Sequence, residues 1–166
     1  MVSFRHSIAV CALLATVAVL GAACGGSGTS AMTSSSNSTV ATADSDVGSI
    51  LVDSRGETLY LFAKDSGGVS ACSGACAKAW PPYAAKGAAL HVGSGLKASL
   101  LKSMTRADGT KQLTYNGHPL YTFSGDSKAG AITGQGSNAF GAHWYVVSPK
   151  GAAIEKAASS APKMGY

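Results

Sequence analysis

The chain has 166 residues, of which 13 are Lys or Arg and 8 are Asp or Glu, for a formal net charge of +5. That length is the size of a single domain carrying short appendages. The charges are scattered, with no basic run and no arginine-rich helix, so they form no nucleic-acid footprint and leave a mild positive excess that favours anionic partners.

In chain order, Arg5 and His6 precede an apolar run from Ile8 to Leu20, and Gly21, Ala22 and Ala23 lead into Cys24. Charged, then apolar, then small is the order of a secretory signal. The run is shorter than the ~20 apolar residues that a ~30 Å hydrocarbon core requires. Leu20-Gly21-Ala22-Ala23-Cys24 resembles the lipobox of bacterial lipoproteins, in which the cysteine receives a diacylglycerol before cleavage. That pattern places Leu three residues before the cysteine, where this chain has Gly21. Gly21 and Ala23 also suit an ordinary signal peptidase, which would leave Cys24 as a free thiol. The reading adopted is a signal peptide over 1–23 and lipid on Cys24, placing the protein on the extracytoplasmic face of the bacterial cell membrane. Cleavage removes Arg5 and takes the charge from +5 to +4, that is, 12 basic minus 8 acidic residues.

From Gly25 to about Asp46 the composition is dominated by Gly, Ser, Thr, Asn and Ala, without aromatics or periodicity. Such a stretch buries too little apolar surface to offset the entropy of ordering it. It reads as a flexible tether over 24–46 with an r.m.s. reach of ~25 Å. At the other end, 158–166 reads as a frayed tail, leaving one small β domain over 47–157.

Within that domain the signals are strand signals. Ile50-Leu51-Val52 and Thr58-Leu59-Tyr60-Leu61-Phe62 flank the turn Ser54-Arg55-Gly56. Leu101 to Thr105, Lys111 to Tyr115 and Pro119 to Phe123 form a three-strand meander, its turns carrying Asp108-Gly109 and Asn116-Gly117. His143 to Val147 is a further strand, and Ala71 to Lys78 and Leu96 to Leu101 are the candidate helical turns. The expected class is all-β, barrel-like or sandwich, with short helical turns. A duplication underlies it. Gly56 to Asp65 matches Gly117 to Asp126 at a constant offset of 61, with glycine, leucine, tyrosine, phenylalanine and aspartate coinciding, and each copy is followed by a tryptophan, Trp80 or Trp144.

Tyr60-x-Phe62-x-x-Asp65 and Tyr121-x-Phe123-x-x-Asp126 resemble the Y-x-(F/W/Y)-x-x-D motif of a family of predicted bacterial lipoproteins, the secreted repeat of unknown function. Cys72 to Ala77, Trp80-Pro81-Pro82, Tyr115 to Tyr121, Gly134-Gln135-Gly136 and Trp144 to Val147 extend the likeness over most of 48–151. The resemblance implies export and a duplicated β domain, and it brings no catalytic residues.

Two readings of the motif are open. Residues two apart on a strand share a face, so Tyr60 pairs with Phe62 and Tyr121 with Phe123. They are either a core pair with the aspartate locking the following turn, or a stacking surface for a flat ligand such as a glycan, with aspartates as acceptors. After Cys11 leaves with the signal and Cys24 takes lipid, Cys72 and Cys76 remain as one even pair, read as a structural disulfide. The small loop it closes is worth ~2 kcal/mol in the chain-entropy model. His91, His118 and His143, with or without Met104, lack metal-ligand spacing, and no metal or other cofactor is expected. Gly134 to Ala139 fits G-x-G-x-x-A without the βαβ context a dinucleotide needs. The expected function is a non-enzymatic binding or structural module, held to the membrane by lipid and meeting envelope polymers or surface proteins. The alternative is a cleft, lined by the duplicated motifs, that binds a ligand, metal or haem for redox or hydrolytic work.

Overall fold

The computed structural model describes residues 39–84 and 90–158. The signal segment, Cys24, most of the expected tether and the tail beyond Ala158 lie outside the described residues. The elements in order are β1 (Val40–Ser45), β2 (Gly48–Asp53), β3 (Tyr60–Phe62), α1 (Ala75–Ala79), a 3-10 turn (Ala98–Leu100), β4 (Leu101–Thr105), β5 (Lys111–Tyr115), β6 (His118–Pro119), β7 (Asn138–Ala139) and β8 (Ala142–Val146). The domain is all-β. Its described strands form three small antiparallel sheets, in the orders β1-β2, β3-β8-β7 and β4-β5-β6, and these do not close into a barrel.

The duplication organises the sheets. β1 and β2 pair from Val40↔Asp53 to Ser45↔Gly48, and β4 and β5 pair from Leu101↔Tyr115 to Thr105↔Lys111. Each hairpin leads into its motif segment, which forms β3 in the first copy and follows directly after β6 in the second. β1 is therefore the first strand of the first repeat, and it occupies Val40–Ser45, within the stretch read from composition as tether. The composition argument failed here because Val40 packs at 0 % exposure and Val47, in the β1–β2 turn, at 7 %. Two small apolar contacts and a hairpin partner order a strand that no periodicity announces. The helical turns are also shorter than expected: α1 covers Ala75–Ala79 instead of the stretch from Ala71, and the second is reduced to Ala98–Leu100.

The third strand of the meander is cut short for a specific reason. Leu120 still donates its N–H to Leu113 in β5, at 2.9 Å, but Tyr121 turns its backbone to Tyr60. Tyr60 N–H donates to Tyr121 O at 2.8 Å and Tyr121 N–H to Tyr60 O at 2.9 Å. This single antiparallel bridge joins the sheet of the second repeat to β3 of the first. A second link runs through Val147, which accepts from Leu51 at 2.8 Å and donates to Leu59 at 3.2 Å.

The motif strand is buried on its two faces. Tyr60 and Phe62 point into a core with Ile50, Val52, Trp80, Tyr121, Trp144 and Val146. Leu59 and Leu61 point the other way, into a core with Leu51, Leu113, Tyr115, Leu120 and Val147. Alternation on one strand thus feeds two apolar clusters, each fully buried large side chain contributing ~1.5–3 kcal/mol.

The aromatic core is a stack of four rings. Phe62 lies on Trp144 at 4.1 Å, Trp144 on Trp80 at 4.0 Å, and Trp80 on Phe123 at 4.2 Å. Each phenylalanine thereby stacks on the tryptophan of the other repeat, while Tyr60 and Tyr121 meet their own repeat's tryptophan edge-on, at 5.3 and 5.1 Å. These are the offset and T-shaped arrangements that ring quadrupoles favour.

Gly134 sits against the end of this stack. A Cβ there would lie 2.6 Å from Trp80 Cη2 and 3.1 Å from Phe123 Cδ1, with no room to yield among stacked rings. Gly134→Ala is expected to lower the unfolding free energy by about 1–3 kcal/mol through overpacking, read as a fall in denaturant midpoint at unchanged slope.

Candidate functional site

The motif residues converge at the centre of the domain. Tyr60 and Tyr121 are 0 % exposed, so their hydroxyls need partners inside the protein. They find them across the repeats. Tyr60 donates to Asp126 Oδ2 at 2.7 Å, and Tyr121 donates to Asp65 Oδ2 at 2.7 Å. The other oxygen of each carboxylate locks its own loop: Asp65 Oδ1 accepts Ala71 N–H at 2.8 Å, and Asp126 Oδ1 accepts Thr133 N–H at 2.9 Å together with the Thr133 hydroxyl. Each aspartate is therefore a turn lock within its repeat and a hydroxyl acceptor for the other.

This decides between the two readings of the motif. The tyrosine rings and Phe62, 1 % exposed, are interior and do not form a ligand-stacking surface. Direct backbone and side-chain bonds join Tyr60 to Tyr121 and each to the other repeat's aspartate, so no ligand cleft opens between the two tyrosines. Of the four motif aromatics Phe123 alone keeps partial exposure; both aspartates keep it as well. Burial, reinforced by the facing carboxylate, holds the Tyr60 phenol far above its ordinary pKa, and burial and Asp65 do the same at Tyr121. Both stay protonated hydrogen-bond donors across the physiological range.

The two halves are supported differently. In the first, Tyr121 Oη also lies 2.7 Å from Ser70 Oγ, and Ser70 accepts from the Arg106 guanidinium at 2.8 Å. Arg106, whose side chain is 5 % exposed, donates further to Gln112 Oε1 at 2.6 Å and to the Cys72 carbonyl. Gln112 passes the chain on to Leu120 O at 2.8 Å. The Cys72–Cys76 disulfide, formed in the structure with Cα atoms 5.3 Å apart, holds the loop that presents these groups. In the second half the buried amide of Gln135 does the equivalent work. It accepts Val146 N–H at 2.8 Å and donates to Ile154 O and Lys156 O. Sequence reasoning gave no role to Arg106, Ser70 and Gln112, and it marked Gln135 only as part of the family likeness. Arg106 beside Ala107-Asp108-Gly109 reads as an ordinary exposed turn residue, and nothing local marks its burial.

Among the described residues no group of three or more His, Cys, Asp or Glu has the arrangement to hold a metal ion. His91 and His143 are exposed on separate elements, and His118 sits in β6 with Asp65 in its field.

Residues 41–84 and 102–148 each match the family described as a secreted repeat of unknown function. The chain belongs to that family. The two matches of the secreted repeat begin in β1 and β4 and end beyond the motif strands, so each covers one structural copy. No curated protein and no solved structure matched the chain.

Tyr60→Phe and Tyr121→Phe each remove one cross-repeat bond to a carboxylate. Each is expected to cost about 1–3 kcal/mol of unfolding free energy, with the far-UV circular dichroism unchanged. Asp65 adds a pH dependence. Burial raises its pKa above the ordinary carboxylate value, and the Ala71 N–H, the Tyr121 hydroxyl, Arg106 and His118 offset that only in part. The folded state then binds this proton more tightly than the unfolded chain, so Asp65 makes stability fall as pH rises from the unfolded carboxylate pKa through the folded one. Unfolding free energies measured across the acid range should show that slope in the wild type and lose it in Asp65→Asn.

Proposed function

We propose that this chain is a lipid-anchored protein of the bacterial envelope, held through Cys24 on the extracytoplasmic face of the membrane. Its duplicated β domain serves there as a non-enzymatic binding or structural module toward envelope polymers or surface proteins. The order of Arg5, the apolar run and the small residues before Cys24 supports the anchor. The family's description as secreted agrees with an extracytoplasmic site. No helix among the described residues is long and apolar enough to cross a membrane.

The observation that carries the module reading is the reciprocal Tyr–Asp exchange. Tyr60 with Asp126 and Tyr121 with Asp65 spend the family motif on joining the repeats. A partner therefore meets the outer surface of a cross-braced domain.

Replacing Cys24 tests the anchor. Intact-mass analysis of Cys24→Ala produced in the native host should show loss of the lipid mass, and the protein should move from the membrane fraction to the medium. Unchanged membrane retention would overturn the anchor.

A further inference from the structure

The duplicated halves serve as each other's control. Positions that exist to pack the core should be alike in the two copies, and Leu59, Tyr60 and Phe62 are matched by Leu120, Tyr121 and Phe123. Around the third strands the copies part. At the offset of 61, Glu57, Thr58, Thr122 and Ser124 stand where the other copy has His118, Pro119, Leu61 and Ala63. These four departures fall around one feature. Glu57, Thr58, Thr122, Phe123, Ser124 and Asp126 line an open cleft of about 220 Å³. Phe62, the counterpart of Phe123, is 1 % exposed.

We propose that this cleft binds one sugar ring of an envelope polymer. At about 220 Å³ the cleft is smaller than the ~300–1,000 Å³ of drug-sized ligand pockets, which limits an occupant to a single ring. Phe123, partly buried, borders the cleft and is held by its stack on Trp80 at 4.2 Å, so it presents an apolar edge to the C–H groups of a ring while the rest of the lining is polar. Among the described residues the hydroxyls of Thr122 and Ser124 have no side-chain partner, and Glu57 uses only Oε2, in its bond to Arg55 at 2.7 Å. Hydroxyls donate and accept, and a carboxylate oxygen accepts strongly, which suits the vicinal hydroxyls of a sugar.

A cation is the poorer match. Glu57 already faces Arg55, and Asp126 already takes donors from Tyr60 and Thr133. The groups left over are hydroxyls, one carboxylate oxygen and a ring. Thr58 is bonded to Ala131 O at 2.7 Å, which fixes the wall of the cleft instead of contributing a free donor.

The inference rests on the reading of the chain as a binding module. Saturation-transfer NMR on the purified full chain would use D-glucose, N-acetylglucosamine and D-arabinose as probes, with L-lysine amide as the organic-ammonium control. Ring-proton transfer is expected for at least one sugar. Glu57→Gln should weaken that sugar about tenfold, the loss of a charge-assisted bond. Ser124→Tyr should block the cleft and abolish transfer, while Ala63→Tyr, at the equivalent place in the other copy, should leave it unchanged. Absence of transfer from all three sugars, transfer that survives Ser124→Tyr, or binding of lysine amide alone would overturn the cleft assignment. Membrane retention through Cys24 is measured separately, so failure of the cleft and failure of the anchor are distinguishable.

Discussion

Two tyrosines, Tyr60 and Tyr121, face each other at the middle of this domain, paired through their backbones and bonded through their hydroxyls to each other's aspartates. Buried phenols left without acceptors would cost about 1–3 kcal/mol apiece. The bonds to Asp126 and Asp65 meet that requirement and bind the two repeats together in the same act. The four-ring stack is arranged around the same centre, each phenylalanine reaching the other repeat's tryptophan. Neither repeat can satisfy its own motif. In this respect the contact between repeats has the logic of an isologous interface, with residue i of one copy meeting residue j of the other and the reverse.

Around that shared centre the halves are built with different materials. The first copy's aspartate loop is braced by its own disulfide and serine together with the buried Arg106 of the second copy, and the second copy's loop by a threonine and the amide of Gln135. A buried guanidinium is tolerated because Ser70, Gln112 and the Cys72 carbonyl accept from it. The loops after the motif are thus free to diverge while the centre stays paired. The outer surface follows the same division, since the polar cleft beside Phe123 is formed where the second copy's loop packs over Gly56 and Thr58. Conserved geometry inside and divergence outside is what a scaffold for recognition requires, because specificity sits on loops carried by a rigid frame.

Several elements were legible before folding. The apolar runs flanking Asn116-Gly117 and Asp108-Gly109 became β4, β5 and β6, with Asn116 at φ 51 and Gly117 at φ 82 in the turn that the dipeptide announces. The hairpins that were missed lack such a signal. β1 and β2 are joined through Asp46-Val47, and β7 and β8 through Phe140-Gly141, where Phe140 takes φ 60, a conformation rarely adopted by a bulky residue. Their turns are held by contacts elsewhere in the domain, with Val47 in the core and Trp144 Nε1 bonded to Ala139 O at 3.2 Å. Neither turn carries an Asn-Gly or Asp-Gly dipeptide, so local turn chemistry did not announce them.

The amino-acid sequence by itself determined the all-β class, the duplication, the shared face of Tyr and Phe and the pairing of Cys72 with Cys76, and it offered the aspartate as a turn lock beside a ligand-acceptor reading. These follow from strand alternation, turn chemistry and cysteine count, all of them local or arithmetical. Only the tertiary structure decided that each aspartate accepts from the tyrosine of the other repeat, that Arg106 is buried against Ser70, and that Phe123 borders a cleft while Phe62 does not. Those outcomes depend on which surfaces meet across an offset of 61 residues. A hydroxyl or a guanidinium has many acceptors within reach of its own segment, and packing alone selects the one that burial leaves available.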